Sequence, residues 1–197
     1  FVFYYSHIYN YKKHLLLFWD IDYLWKYFPL ILQPFLELFH LGINHMIVKT
    51  NYQVVDHLND LLANYHIHYQ KLRGCHWNVK GSHFFTLHVK FEELYTNAQL
   101  TIDELAERIL TIGKSPYSTF TDYLKISKLK EIHTIGMKDT DMVLAIIDDF
   151  SKLIEMEREI MALASDAGDE GTSDLINKFM QFKEKNNWML RSFVGKN

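Results

Sequence analysis

Hydrophobic and polar positions alternate along most of the chain with the period of an α-helix. From Met46 onward, apolar residues recur at alternating steps of three and four in four separate stretches. This spacing places the apolar side chains on one side of a helix, so each stretch predicts an amphipathic helix with one buried face. The predicted stripes run from Val55 to Leu72, from Phe84 to Ile112, from Val143 through Glu157 to Ala164, and from Leu175 through Met189 to Phe193.

Glycine and proline mark the predicted helix ends. Gly74 and Gly81 lie between the first two stripes and are expected to separate the first helix from the second. Gly113, followed by Pro116, is expected to end the second helix. These breaks agree with the stripes, so two independent patterns predict the same helices.

Polar residues at the starts of the later helices complete the predicted fold. Asp139 or Thr140 can cap the third helix, and Thr172 can cap the fourth. About 25 residues join the second helix to the third, and residues 121–129 of this connection predict a short extra helix. The prediction is an all-α, ferritin-like four-helix bundle with a long crossover that carries a short extra helix. Cytokine-type bundles have the same number of helices, so the fold alone leaves the function open.

Composition excludes several classes of protein. The chain has 197 residues, of which 48% are hydrophobic and 23% charged, and its net charge is −3. Nothing in this balance is typical of a nucleic-acid-binding protein. The single cysteine, Cys75, excludes an internal disulfide framework and suits a reducing, cytoplasmic environment.

The first 45 residues have a different composition, dense in aromatic and aliphatic residues. Asp20, Asp22, Lys26 and Glu37 interrupt them, so no apolar run approaches the roughly 18 residues of a membrane span. We expect translation to begin at Met46 and residues 1–45 to be an upstream reading-frame extension or a disordered segment. The alternative is an aromatic anchor at a membrane surface. The expected domain covers residues 46–197.

Five residues in and before the second stripe could bind a metal ion: His76, His88, Glu92, Asp103 and Glu107. His88 and Glu92 are four residues apart, as are Asp103 and Glu107, so each pair lies one helical turn apart. At about 100° per residue, these four share one face of the helix. Exposed acidic pairs at this spacing are also common without a metal, so ordinary solvated charge is the alternative interpretation.

The length of the second helix limits how these residues can act. His88 and Asp103 would lie roughly 22 Å apart along the axis, so they cannot bind one ion within the same chain. Two copies packed with this helix antiparallel would join the His88 end of one to the Asp103 end of the other, forming two equivalent sites. Imidazole and carboxylate ligands suit iron or a similar metal. A di-iron centre inside one bundle is disfavoured, because after Met46 the chain has no Glu-x-x-His motif.

Three segments carry a resemblance to a known family. LRGCHWNVKGSHFFTLHVKFEELY, then DELAERI, and NNWMLRSF in the last predicted helix resemble the DNA-protection-during-starvation (Dps) proteins, or mini-ferritins. The resemblance covers residues 46–197. It implies a hollow dodecamer that binds ferrous iron between two subunits, oxidises it, typically with hydrogen peroxide, and stores ferric mineral inside, protecting against oxidative stress.

The resemblance also implies roles for individual residues. His76, His88 and Glu92 would come from one subunit, and Asp103 and Glu107 from its neighbour, forming a ferroxidase site. Glu92 stands where many relatives have aspartate. Trp77 would lie against the site, where its oxidisable ring could intercept radicals; the alternative is a core aromatic at the end of the helix.

Other residues have weaker indications. Cys75 stands where relatives usually have an aromatic residue, and a small buried thiol is the default interpretation. His66 and His68 are expected at the surface or the edge of the core. In this family, residues near the turn before the last helix line acidic pores through which iron enters. The candidate pore residues there are Asp169, Glu170 and Asp174, whose alternative role is helix capping.

DNA binding is expected to be weak or absent. In this family it usually depends on flexible basic tails, which neutralise phosphates. Lys49 is the only basic residue among residues 46–53, and Lys196 is the only one among the last four residues. Residues 46–197 carry 18 basic against 21 acidic residues, because three of each kind lie in the first 45. A protein that coats DNA, with metal only bracing the dimer, is therefore the second hypothesis.

Overall fold

The computed structural model describes residues 52–195, which form five helices joined by loops. The prediction for residues 1–45 concerns residues outside this range. None of the helices between residues 52 and 195 is long and apolar enough to cross a membrane. The helices are α1 (Tyr52–Asn78), α2 (Phe84–Thr111), α3 (Phe120–Ile126), α4 (Asp139–Asp166) and α5 (Glu170–Phe193).

The four long helices form the predicted four-helix bundle. α1 packs along α2, α4 packs along α5, and α1 joins the two pairs through its contact with α4. The crossover between α2 and α4 carries the predicted short helix, α3, which packs on α1. The core contains side chains from all four long helices, including Leu58, Leu62, Phe91, Leu105, Phe150 and Ile176. The predicted fold class is therefore confirmed.

The prediction that Gly74 separates the first two helices is wrong. α1 continues through Gly74 to Asn78, and Gly81, at φ +101°, lies in the turn that follows. A Cβ atom on Gly74 would lie 3.1 Å from the hydroxyl oxygen of Thr134 in the crossover. The Thr134 hydroxyl donates a hydrogen bond to the Gly74 carbonyl (3.0 Å) and accepts one from the Asn78 amide (2.9 Å). Gly74 thus makes room for the crossover rather than ending the helix.

The predicted cap of the last helix is also wrong. Asp169, not Thr172, is the N-cap of α5, and its carboxylate accepts from the backbone N–H of Thr172 at 3.0 Å. The Thr172 hydroxyl donates to the same carboxylate at 2.6 Å. The prediction that Asp139 or Thr140 caps α4 is wrong as well, because the N-cap residue is Lys138, which makes no side-chain capping bond, and Asp139 is the first residue of the helix. The Asp139 carboxylate accepts a hydrogen bond from the backbone N–H of Thr140.

The apolar stripe of the last helix differs from the prediction at one position. Met189 is 41% exposed, whereas its neighbour Leu190 is buried. The buried face of α5 includes the polar residues Lys183 and Asn186. A prediction that counts only apolar residues passes over these two positions and therefore selects Met189 in place of Leu190.

Two groups of charged residues lie inside the bundle. Asp149 accepts hydrogen bonds from Lys71 (2.6 Å) and His68 (2.9 Å). Glu157 forms an ion pair with Lys183 at 2.5 Å and accepts from the Tyr65 hydroxyl at 3.0 Å. All of these side chains are buried. His68 is therefore a core residue rather than a surface one, and burial lowers its pKa.

Candidate metal centre

Three of the five predicted metal ligands lie together. The ligand atoms of His76, His88 and Glu92 are all within 4.8 Å of one another. His76 is in the last turn of α1, and His88 and Glu92 lie one turn apart near the start of α2. His76 is buried, His88 partly buried and Glu92 exposed, so the group opens outward at Glu92. Within residues 52–195, no other such group of three metal-binding side chains is found.

The two histidines hold each other in place. Nδ1 of His76 donates a hydrogen bond to the backbone carbonyl of His88 (2.8 Å), and Nδ1 of His88 donates to the carbonyl of His76 (2.9 Å). Because a carbonyl can only accept, each Nδ1 carries a proton, and in the neutral ring Nε2 is the nitrogen with a lone pair for a metal ion. The rings are stacked, with centroids 3.8 Å apart and planes at 22°. The hydrogen bonds therefore fix the orientation of both imidazoles and leave Nε2 of each ring as the potential ligand atom.

Further aromatic rings surround this pair. Phe84 stacks on His88, with centroids 4.9 Å apart. Tyr95 meets His76 edge-on at 5.3 Å. The sequence analysis did not identify either residue as part of the site. Phe84 is four residues before His88 and Tyr95 is seven after it, so helical spacing places both on the side of α2 that carries His88.

This set of side chains suits ferrous iron. Two imidazole nitrogens and one carboxylate leave several coordination positions open, as in the two-histidine, one-carboxylate sites that bind Fe(II). An exposed carboxylate at the mouth of such a site lets further ligands approach from outside the chain. The group can bind a metal ion but does not enclose it.

Asp103 and Glu107 are not part of this group. Along the axis of α2, Asp103 lies about four turns and roughly 22 Å from His88, and Glu107 about five turns and roughly 28 Å from it. Both are exposed. They remain on the face of α2 that carries Glu92, as their spacing predicts. Within one chain the structure therefore separates the five predicted ligands into a group of three and a pair.

Trp77 lies at the surface and not in the core. Its side chain is 56% exposed, so the interpretation as a core aromatic is wrong for the single chain. The guanidinium carbon of Arg73 lies 4.6 Å from the centre of the Trp77 ring. Trp77 follows His76 directly in the last turn of α1, next to the metal-binding group in sequence.

The candidate pore residues differ in accessibility. Asp169 is buried, and its carboxylate forms an ion pair with Arg108 at 2.5 Å in addition to capping α5. The geometry therefore supports its capping role over a pore role. Glu170 and Asp174 are exposed. The sequence analysis did not predict the ion pair of Arg108 with Asp169. The Arg108 guanidinium also favours glycine at position 171, because a Cβ atom on Gly171 would lie 3.1 Å from it.

Cys75 is a buried, unreactive type of thiol. Its side chain is inaccessible to solvent, and burial raises the pKa of the thiol to about 12. At neutral pH the sulfur keeps its proton and is a poor nucleophile and metal ligand. The structure thus agrees with the default interpretation of a small buried thiol.

Comparisons with known proteins assign this bundle to a class. The family model described as "Ferritin-like domain" matches residues 55–197. A structure of a Dps protein from Vibrio cholerae O1, described as a member of a broad superfamily of ferritin-like diiron-carboxylate proteins, has a TM-score of 0.70 and 45% identity, covering 73% of this chain and 89% of that one. The fold is thus that of a ferritin-like bundle.

Individual relatives narrow the class to one family. DNA protection during starvation protein 2 of Bacillus anthracis is 43% identical over 145 residues, which are 74% of this chain and 99% of that protein. The crystal structure of Dps from Staphylococcus aureus has a TM-score of 0.71 and 39% identity, covering 74% of this chain and 97% of the other. The chain belongs to the Dps family of ferritin-like proteins.

Proposed function

We propose that this chain is a subunit of a homo-oligomeric mini-ferritin that oxidises Fe(II) at a site completed by a neighbouring subunit. The observation that carries the proposal is the incomplete group of His76, His88 and Glu92, which opens at an exposed carboxylate. Asp103 and Glu107 on the same face of α2 supply the missing carboxylates if two copies of this helix pack antiparallel.

The register of such a pair can be read from α2. When His88 lies opposite Glu107 of the partner subunit, Glu92 lies opposite the partner's Asp103. The same register places Phe85 opposite the partner's Leu110. These two apolar side chains are 82% and 57% exposed in the single chain, and the pairing would cover them. Ligand pairing and apolar pairing thus agree on one arrangement.

The chemistry follows from the ligand set. Fe(II) is the substrate, bound by imidazole and carboxylate groups that leave positions open to an oxidant. Hydrogen peroxide takes one electron from each of two ferrous ions and becomes water, and the ferric products hydrolyse and form mineral in the cavity of a dodecamer. Because the reaction consumes iron and peroxide together, it would prevent hydroxyl-radical formation and protect a reducing cytoplasm from oxidative stress.

A complementation experiment tests whether the site is shared. The variants His88→Ala and Asp103→Asn of the full chain are each expected to lose rapid Fe(II) oxidation by stoichiometric peroxide. Co-expression and purification through two different tags give mixed oligomers that contain both variants. Each mixed dimer has one intact site of two. If subunits pair at random, half of the dimers are mixed, so about a quarter of the wild-type sites return.

The outcomes separate the possibilities. Recovery of activity in the mixed protein supports a site built from two subunits. A mixed protein as inactive as both variants would show that the ligands do not combine across subunits. Wild-type rates in both single variants would show that this face of α2 is only structural.

DNA coating remains the second hypothesis. Relatives are named for DNA protection, but this chain has a net charge of −3, and a polyanion binds chiefly through neutralisation of its phosphates by basic residues. No contact of the described residues favours this function.

A further inference from the structure

One methionine of the described chain is open to solvent. Met189, near the end of α5, is 41% exposed, whereas Met142 and Met156 are 0% and 7% exposed. The other three methionines of residues 52–195 are partly buried. Peroxides convert a thioether to a sulfoxide when they reach its sulfur. Among the methionines of residues 52–195, Met189 is therefore the one that is most accessible to a peroxide.

Met189 lines a groove between the last turns of α5 and the first turns of α2. The groove has a volume of about 230 Å³. A water molecule takes up about 30 Å³ in the liquid, so the groove has room for hydrogen peroxide and several waters. Leu190 and Phe193 of α5 contribute apolar walls beside the thioether. The groove can thus hold a small oxidant next to Met189.

Two side chains of α2 bring hydrogen-bond donors to the same groove, the hydroxyl of Thr86 and the ammonium of Lys90. Lys90 pairs with Glu93 at 2.9 Å, and its side chain is only 16% exposed, so it is held against the protein. An ammonium has three protons, and Glu93 accepts one of them. Lys90 can therefore also donate to a ligand in the groove.

This groove and the metal-binding group lie on different sides of α2. At about 100° per residue, Thr86, Lys90 and Glu93 lie roughly 140–200° around the helix axis from His88. Glu92 lies only about 40° from His88. Two copies paired through the face that carries His88 and Glu92 would therefore leave the groove open to solvent.

We propose that Met189 is an oxidisable site whose thioether reduces hydrogen peroxide to water without iron, and that Lys90 donates a hydrogen bond to the peroxide in this step. The site differs from the proposed iron centre in its position and in its source of electrons. It consumes peroxide also when no Fe(II) is bound, a condition in which the iron centre cannot act.

The atoms and electrons of this step balance. The sulfur of Met189 attacks one oxygen of hydrogen peroxide, the O–O bond breaks and an S–O bond forms. The sulfur loses two electrons, which reduce the peroxide. The second oxygen leaves with both peroxide protons, so the products are one methionine sulfoxide and one water. Lys90 stabilises the negative charge that develops on the leaving oxygen before its second proton arrives.

The groove also suits the oxidised side chain. Methionine sulfoxide is polar, and it disrupts a protein where its oxygen is buried among apolar groups. Here Lys90 and Thr86 offer donors to that oxygen, and the open groove admits water. Because enzymes reduce methionine sulfoxide back to methionine, Met189 can react repeatedly.

The first test follows each methionine separately. The metal-free full chain, with a chelator present, is treated with excess hydrogen peroxide, quenched with catalase and digested with trypsin. Each methionine of residues 52–195 falls on its own tryptic peptide, and Met189 is on residues 186–191. Mass spectrometry gives the fraction of each peptide that has gained one oxygen. Met189 should react at least about tenfold faster than Met142, which reacts only when the bundle opens.

Variants test the role of Lys90. Loss of one donor to a developing anion costs about 10²–10³-fold in an enclosed site, so in this open groove Lys90→Leu should slow the oxidation of Met189 by about tenfold. Lys185→Leu removes an exposed lysine of α5 outside the groove, so it is the matched control and should react as the wild type. Met189→Leu should lose the fast, iron-free consumption of one peroxide per chain.

Unfolding separates a built site from simple exposure. In concentrated urea every methionine is exposed, and Met189 should react more slowly than in the folded protein, because Lys90 is no longer held beside it. An equal or faster reaction in urea would show that Met189 is merely exposed and would overturn the inference. So would equal rates in Lys90→Leu and the wild type, or a folded Met189 as slow as Met142. None of these reactions contains iron, so they decide this inference independently of the proposed function.

Discussion

The substitution Lys183→Met should severely destabilise the bundle. The ammonium of Lys183 is buried, pairs with the carboxylate of Glu157 at 2.5 Å, and donates to the Phe179 carbonyl at 2.7 Å and to the Tyr65 hydroxyl. Without it, Glu157 keeps a single donor, Tyr65, and its second carboxylate oxygen already has no partner among the described residues.

The magnitude follows from the cost of an uncompensated buried charge. Removing one partner of a buried ion pair typically costs about 3–5 kcal/mol. For a domain of this size the melting temperature should fall by about 6–20 °C. The double variant Lys183→Met/Glu157→Gln removes both charges and keeps an acceptor for Tyr65, so it should recover most of the loss.

The assay is urea unfolding followed by circular dichroism, on the wild type, both single variants and the double variant. The matched control is Arg158→Met, which breaks an exposed ion pair between the same two helices, Arg158 with Glu184 at 2.9 Å. It should cost about 1 kcal/mol or less. If the losses of Lys183→Met and Glu157→Gln simply add in the double variant, the two charges do not compensate each other and the reasoning is refuted.

Four further predictions concern other parts of the molecule. Gly74→Ala should lower the free energy of unfolding by about 1–2 kcal/mol, because the new Cβ would lie 3.1 Å from the Thr134 hydroxyl, which hydrogen bonds to Gly74 and Asn78 hold in place. This crowding outweighs the roughly 1 kcal/mol that alanine gains in helix propensity, and an unchanged urea midpoint would contradict the prediction. The hydrogen bond from His83 lowers the pKa of Asp139 below its ordinary value of 3.8. The stability that this hydrogen bond contributes is fully present above pH 3.8 and is lost as the pH falls through the lower pKa of the folded state. The urea midpoints of Asp139→Asn at pH 6 and at pH 3 should therefore differ less than those of the wild type. Cys75, buried and with a raised pKa, should react with a thiol reagent only after unfolding, and a fast native reaction would show that the thiol is accessible. In a mobility-shift titration at physiological salt the protein should leave DNA unretarded, and tight binding would refute the argument from charge.

The four long helices could be predicted from sequence because their signal is local. Stripes of apolar residues and the turn glycines Gly81 and Gly113 depend only on neighbours within a few positions. Gly74 misled the prediction because its reason is tertiary: it contacts Thr134, 60 positions later in the chain. Asp169 and Thr172 are both good capping residues, and only the geometry of the turn decides between them.

The closeness of His76, His88 and Glu92 was predictable for a related reason. His88 and Glu92 share a helix, and His76 precedes it across one short turn, so local rules bring the three together. The pairing of Asp149 with Lys71 and of Glu157 with Lys183 was not predictable, because periodicity identifies a buried position but not the helix that will face it. The contact between the rings of Tyr95 and His76 was likewise not predictable, because the two residues belong to different helices.

The reciprocal hydrogen bonds between His76 and His88 have a consequence for how the family can vary. Each imidazole donates to the backbone carbonyl of the other residue, and that carbonyl remains when the other side chain is replaced. A single substitution therefore removes one metal ligand and the ring stacked on the second, while the second imidazole keeps the hydrogen bond that orients it. The two positions should therefore be able to change one at a time, and a lineage that loses one histidine should keep the other as an oriented ligand.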